Sequence, residues 1–219
     1  MLSERLEKVE RRIETALRRV GRTRSEITLV AVTKKFSADV IREAYAQGLR
    51  CFGENYVQEF EAKCPHLVDL TGAEYHLIGH LQSNKARPAA ELFQVIETVD
   101  SEKLAGRLDQ TGRTLEVMIE VKLSHEGTKA GAAPETLSPL IDAIRSCANL
   151  RLTGLMTMPP WSDDPEVTRP YFRRLAELAR KHGLPKLSMG MSHDLEAAIE
   201  EGATHIRIGT ALFGPRRRD

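Results

Sequence analysis

The chain has 219 residues, 41% of them apolar and 29% charged, enough for a sizeable core beneath a solvated surface. Its 32 basic and 31 acidic side chains nearly cancel, which removes the overall field that would attract nucleic acid or anionic lipid. Cys51, Cys64 and Cys147 are odd in number, far apart and form no C-x-x-C pair, which argues against a disulfide framework and against a zinc site.

The amino terminus is charged from its fourth residue, and no uncharged apolar run approaches the ~18 residues of a membrane span. A cytoplasmic protein with no membrane partner is therefore expected. The one basic cluster, Arg216 to Arg218, reads as a solvated tail rather than a nucleic-acid patch.

Leu2, Leu6, Val9, Ile13, Leu17 and Val20 recur in steps of three and four, the stripe of an amphipathic helix that Gly21 is placed to end. From Ile27 onward, short β-rich runs alternate with amphipathic stretches. The predicted strands are Ile27–Thr33, Arg50–Gly53, Tyr75–Gly79, Val95–Val99, Glu116–Val121, Arg151–Met156, Lys186–Met189 and His205–Ile208. Ser37 is a candidate cap for the helix that runs to Gly48, and Pro134 and Pro165 suit first helical turns. Apolar faces follow at Leu137, Leu140, Ile141 and Ile144, and at Tyr171, Leu175 and Leu178, with Gly183 and Gly202 as stops.

Eight strands separated by helices predict an α/β fold, a (β/α)8 TIM barrel with an extra amino-terminal helix, as one domain over residues 1–219. A doubly wound sheet ranks lower, because no G-x-G-x-x-G follows the first strand. Only Ala211–Asp219 follows the eighth strand, too little for a closing helix, so the first helix is expected to cover the surface left bare there.

Barrels of this kind place their chemistry on the loops after the carboxyl ends of the strands. That rule selects Lys34 and Lys35, Glu54 and Asn55, His80 with Gln82, Asn84 and Lys85, Lys122, Met158, Ser192 and His193, and Arg207, Gly209 and Thr210. The set is rich in amines, amides and hydroxyls and lacks the clustered carboxylates and histidines of a metal centre. The loops after strands seven and eight, Gly190–His193 and Arg207–Thr210, stand where barrels bind phosphate: Ser192 and Thr210 offer hydroxyls and Gly209 admits close backbone approach. Ser192 also suits a helix cap and Gly209 a tight turn.

A lysine at the end of a buried strand offers a nucleophilic amine when its ammonium form is disfavoured. Alternation does not choose between Lys34 and Lys35, since Val30 and Val32 share a face with the first, Leu29 and Ala31 with the second, and both faces are apolar. Arg207 fits either the nitrogen of a bound aromatic ring or a carboxylate on the barrel floor. Asn55 fits a ligand contact or a helix cap, His80 an acid–base or a structural role, and Trp161 a lid edge.

Taken in order, Leu29–Lys34, Phe52–Glu59, His76–Lys85, Gly154–Met156, Leu187–Ile199 and Arg207–Gly214 resemble the pyridoxal phosphate homeostasis protein family, whose fold is similar to the N-terminal barrel of alanine racemase. The resemblance runs from about Ile27 to Gly214. It implies pyridoxal 5′-phosphate (PLP) held as a Schiff base on Lys34, its phosphate on Ser192, Gly209 and Thr210, Arg207 near the pyridine nitrogen and Asn55 lining the ring. It further implies a non-catalytic role in vitamin B6 homeostasis, with PLP-dependent apo-enzymes as candidate recipients, and a monomer is expected. One segment departs from the family pattern: Lys122 stands where an asparagine is usual, while Glu126, Lys129 and Gly131 are kept.

Two other readings compete. An amino-acid racemase using Lys34 needs a second acid–base group, for which Tyr56 and His80 are the candidates, and the chain ends at the barrel without the further domain that supplies it in alanine racemase. A cofactor-free lysine enzyme acting on a sugar phosphate would use the same phosphate loops.

Overall fold

A computed structural model of the chain, describing residues 1–124 and 130–215, closes eight parallel strands into a barrel in sequential order, β8 pairing with β1. The strands are β1 Thr28–Val32, β2 Cys51–Glu54, β3 Glu74–Leu77, β4 Val95–Val99, β5 Leu115–Glu120, β6 Leu150–Met156, β7 Lys186–Ser188 and β8 His205–Ile208. Each predicted strand is present, with ends displaced by at most two residues. The helices among the described residues are α1 Leu2–Arg19, α2 Ala38–Ala46, α3 Val57–Lys63, α4 Ala86–Leu92, α5 Glu102–Asp109, α6 Leu137–Arg145, α7 Arg169–His182, α8 Leu195–Glu200 and α9 Thr210–Phe213. None is long and apolar enough to cross a membrane.

The main apolar core lies between barrel and helices. Leu137, Leu140, Ile141 and Ile144 of α6 are buried there, as are Leu175 and Leu178 of α7. On α7 the face turns one residue from the prediction: Phe172, not Tyr171, is fully buried. Val9, Ile13, Ala16 and Leu17 bury the stripe of α1, which packs on α8 and on the four-residue α9. Gly183 ends α7 with φ 65°, a left-handed conformation that costs glycine nothing.

Three local expectations are corrected. Ser37 occupies the N-cap of α2, but its side chain makes no capping bond. Pro134 and Pro165 open short 3-10 turns, Pro134–Thr136 and Pro165–Val167, that precede α6 and α7 rather than starting the α-helices themselves. Glu126 and Lys129 of the strand-five segment, and Arg216 to Arg218, lie outside the described residues.

Candidate functional site

At the carboxyl end of the barrel a cavity of about 520 Å³ opens between β1, β2, β8 and the loops after β6 and β7. Lys34, Asn55, Ser192, Arg207, Gly209 and Thr210 all line it, together with Val32, Ile78, Met158, Trp161, Met191, His193 and Ala211. The volume falls in the range of small-molecule sites.

The backbone resolves which lysine faces the cavity. Thr33 to Phe36 form a turn closed by Phe36 N–H donating to Thr33 O at 3.1 Å, with Lys35 at φ 65° in its third position. A type II turn needs that sign of φ there and normally recruits glycine. The turn leaves Lys34 half-buried in the cavity wall and Lys35 exposed outside it. The turn is fastened from below. Lys63 Nζ, buried, donates to Thr33 O at 3.0 Å, to Glu54 Oε1 at 2.8 Å and to Glu59 Oε1 at 2.6 Å, and Glu59 Oε1 also accepts from Lys35 N–H. Glu54 takes a further bond from Thr33 Oγ1 at 2.8 Å; burial pushes its carboxyl up, against the pull of Lys63 and Thr33.

Asn55 follows β2 and lies against Gly79 at the end of β3. A Cβ on Gly79 would stand 2.2 Å from the Asn55 carbonyl oxygen, so only glycine permits this approach. Asn55 does not cap the next helix, whose N-cap is Tyr56.

The loop after β7 bends at Gly190, φ 91°, where a Cβ would stand 2.4 Å from that of Ala198. Asp194, fully buried, is the N-cap of α8 and accepts from Met191 N–H at 2.7 Å. Ser192 is therefore not the cap of that helix. Its hydroxyl instead accepts from Ala211 N–H at 3.2 Å and joins the two loops. Among the described residues, the N–H groups of Ser192, His193, Gly209 and Thr210 find no protein acceptor. The last two loops thus present free donors and hydroxyls to one corner of the cavity, the chemistry of an anion cradle.

Helix α1 reaches this corner. Arg12 forms a two-pronged ion pair with Glu196 at 2.6 and 2.7 Å, and its Nη1 donates to Ser192 O at 2.7 Å. Arg12→Ala is expected to loosen the loop and weaken binding of a phosphate-bearing ligand by about three- to tenfold, on the order of 1 kcal/mol. Arg12→Lys recovers only part of it, lacking the fork. Titration by cavity-bound absorbance checks this, and unchanged affinity in Arg12→Ala would remove α1 from the site.

Arg207 enters from β8, almost wholly buried. It donates to Ser188 Oγ at 2.7 Å and to Thr157 O at 2.9 Å. Among the described residues it is linked to a carboxylate through Ser188, whose hydroxyl donates to Glu97 Oε2 at 2.5 Å. Glu97 Oε1 then meets His76 Nδ1 at 2.7 Å, and His76 Nε2 meets Glu74 Oε1 at 2.8 Å on the floor. A polar column therefore runs up the barrel interior from floor to cavity. Burial alone would push Glu97 up, but the His76 hydrogen bond and charge, with Arg207 beyond, bring it down to about 2. Burial pushes the Arg207 guanidinium below its ordinary value, opposed by Glu97, Glu120 and Asp194.

Other sequence candidates lie elsewhere. His80 and Lys122 line a neighbouring cavity of about 620 Å³ with Asp100 and Glu120; burial raises the Glu120 carboxyl. Asn84 borders a separate surface pocket. Trp161 forms an exposed rim of the Lys34 cavity, its ring centroid 4.0 Å from that of His193. Sequence reasoning missed the supports: Glu97, Ser188, Lys63 and Arg12. Glu97 did carry a signal, a lone charge within the apolar strand Val-Ile-Glu-Thr-Val.

Fold and site together define a parallel (β/α)8 barrel with a lysine, a buried arginine and an anion cradle converging at one mouth. A family model described as alanine racemase, N-terminal domain, matches residues 5–217. Pyridoxal phosphate homeostasis proteins of Pseudomonas aeruginosa and Aquifex aeolicus are 47% and 44% identical, each over 98% of this chain and 96% and 98% of their own lengths. PipY of Synechococcus elongatus PCC7942, solved with PLP bound, is 40% identical and superposes with a TM-score of 0.84 over 98% of this chain and all of its own. The chain belongs to the pyridoxal phosphate homeostasis protein family, within the alanine racemase N-terminal barrel group.

Proposed function

We propose that this chain binds PLP in the Lys34 cavity, as a Schiff base on Lys34, and serves intracellular vitamin B6 homeostasis as a single-domain, monomeric cytoplasmic carrier rather than an enzyme. The observation that carries the reading is the convergence of Lys34, Arg207 and the Ser192–Gly209–Thr210 corner on one cavity of about 520 Å³. PipY with PLP bound, a relative 40% identical over nearly the whole chain, supports the same reading.

The residues fit the group chemically. The unpaired N–H donors and hydroxyls of the two last loops suit a phosphate, and the amine of Lys34 suits an aldehyde. When bound, PLP supplies an electron-withdrawing ring that weakens bonds at an attached amino compound. Arg207 works against that chemistry. A permanent cation near the ring nitrogen discourages protonation there and so weakens the electron sink. Glu97 and Ser188 hold Arg207 in place. Asn55 and Val32 bound the space left for the ring, and Trp161 over His193 rims the opening.

A carrier is favoured over a racemase by the position of the two candidate second bases. Neither Tyr56 nor His80 lines the Lys34 cavity. Circular dichroism of L-alanine incubated with loaded protein is expected to stay constant; steady loss of optical activity would restore the racemase. Recipients of the cofactor are proposed to be PLP-dependent apo-enzymes, tested by activation of an apo-enzyme with loaded protein against free PLP.

Borohydride treatment followed by peptide mapping tests the central reading: the added mass is expected on the Lys34 peptide. A colourless protein that takes up phosphate but not PLP would favour the sugar-phosphate alternative. Trp161 gives an independent readout, being the one tryptophan of the chain and set on the cavity rim. PLP is expected to quench most of its emission, and Trp161→Phe to abolish the signal while leaving binding within about twofold, the loss of a rim contact being worth a few tenths of a kcal/mol.

A further inference from the structure

The opposite end of the barrel carries a second constellation, at the foot of the polar column that ends on Arg207. We propose that Cys51, Glu74 and His76 form a divalent-cation site of zinc type on the barrel floor. The strand register assembles it. Cys51 opens β2 and is paired with Glu74, which opens β3, so their side chains emerge on the same face of the sheet. His76 lies two residues further along β3 and shares that face. The cysteine sulfur, a Glu74 oxygen and a His76 ring nitrogen all lie within 4.8 Å of one another. Thiolate, imidazole and carboxylate at that spacing make three ligands of a tetrahedral site, and they suit a borderline-soft ion over calcium or magnesium.

The support behind the histidine matches the ligand set. His76 Nδ1 is held at 2.7 Å by Glu97, which is itself fixed by Ser188, so the ring is oriented with Nε2 towards the floor. A carboxylate on the far ring nitrogen is the usual outer partner of a metal-bound histidine. Access is open from below: Glu74 is exposed and Cys51 half-buried, which leaves the fourth position to water. The neighbouring cation, Lys186, is paired with Glu116 and so does not repel an incoming ion at full strength. In the ion-free arrangement His76 Nε2 and Glu74 Oε1 are in hydrogen-bond contact at 2.8 Å, and an ion would insert between them. Ligation takes the thiol proton from Cys51 and frees His76 Nε2, the protons passing to solvent. Cysteine spacing and the carboxyl ends of the strands argued against zinc in the sequence; parallel pairing instead brings Cys51, Glu74 and His76 together where β2 and β3 begin.

Cobalt(II) titration of the reduced, PLP-loaded full chain tests the site. Wild-type protein is expected to take up one equivalent with a thiolate-to-cobalt charge-transfer band in the near-ultraviolet and the visible bands of a tetrahedral ion. Cys51→Ser is expected to lose the charge-transfer band, and Glu74→Gln to weaken binding at least tenfold. Cys51→Ser should keep the cofactor absorbance of the wild type, since Cys51 neither lines the Lys34 cavity nor belongs to the column beneath Arg207. A Cys64→Ser/Cys147→Ser double variant should retain the band. Absence of a charge-transfer band in wild type at excess cobalt, or its persistence in Cys51→Ser, overturns the proposal.

Discussion

Lys34→Ala is expected to abolish covalent retention of PLP completely while leaving the protein folded. The Schiff-base absorption should vanish, and borohydride should no longer add mass to the peptide that contains position 34. Residual binding is expected, because Ser192, Gly209, Thr210 and Arg207 are untouched by the change. It should be weaker by at least about tenfold, corresponding to the loss of 1.4 kcal/mol or more. Lys34 is only half-buried, so unfolding free energy should move by no more than about 1 kcal/mol. A cooperative loss of structure in the variant would instead make Lys34 a structural residue. Mass appearing on the same peptide through Lys35 would show that the turn does not discriminate between the two amines.

The largest effect on stability is expected at Glu97. This carboxylate is fully buried, accepts from Ser188 and His76, and stands between two buried cationic groups, His76 and Arg207. Glu97→Ala removes the anion between them, leaving His76 with Glu74 alone and Arg207 without its linked carboxylate. The cost of such a break is about 3–5 kcal/mol, a fall in Tm of about 6–20 °C for a chain of this size. Glu97→Gln, which keeps the shape, should cost less. A Tm within about 2 °C of wild type in Glu97→Ala would show that the column does not hold the barrel.

The same residue sets an acid limb. A carboxyl that ionises near 4.5 in the unfolded chain and at about 2 in the fold contributes about 3 kcal/mol above pH 4.5, and this is lost as pH falls from 4.5 towards 2. His76 reports the same contact from the other side. Burial opposes its charge, but hydrogen bonds with Cys51, Glu74 and Glu97 raise it well above its ordinary value. Its contribution is therefore full at low pH and lost only as pH rises through that raised value, and it is not added to that of Glu97. His205 behaves oppositely. Burial lowers it to about 4, so its neutral form is favoured in the fold and stability falls as pH drops from 6.5 towards 4. Urea melts across pH 2–8 should show two acid steps in wild type. Glu97→Gln should lack the lower one.

Much of this architecture was legible because barrel strands announce themselves twice, by β-branched runs and by the helical spacing between them. Val95–Val99 and His205–Ile208 match the prediction residue for residue. The strand-end rule, which depends only on where a strand stops, picked out Lys34, Asn55, Ser192, Arg207, Gly209 and Thr210 of the lining, together with residues such as Lys35, His80 and Lys122 that lie outside it. The buttresses were less visible. Arg12 and Ser192 are 180 positions apart, and nothing local to either residue signals their contact. By spacing Ser192 suited both a helix cap and a phosphate contact, but Asp194 holds the cap position and the serine links two loops. The choice between Lys34 and Lys35 was closed to alternation because it is made by a dihedral angle after the strand has ended.

That angle has a consequence for anyone wishing to relocate the reactive amine. A left-handed lysine carries roughly 1 kcal/mol of strain that glycine would relieve, so Lys35 is retained against the local preference of its own turn. The two side chains have the same length and the same chemistry. What separates them is the curl of four residues, riveted to Glu59 and Lys63 below. Transplanting the lysine by one place along the chain would therefore fail unless the curl were rebuilt with it.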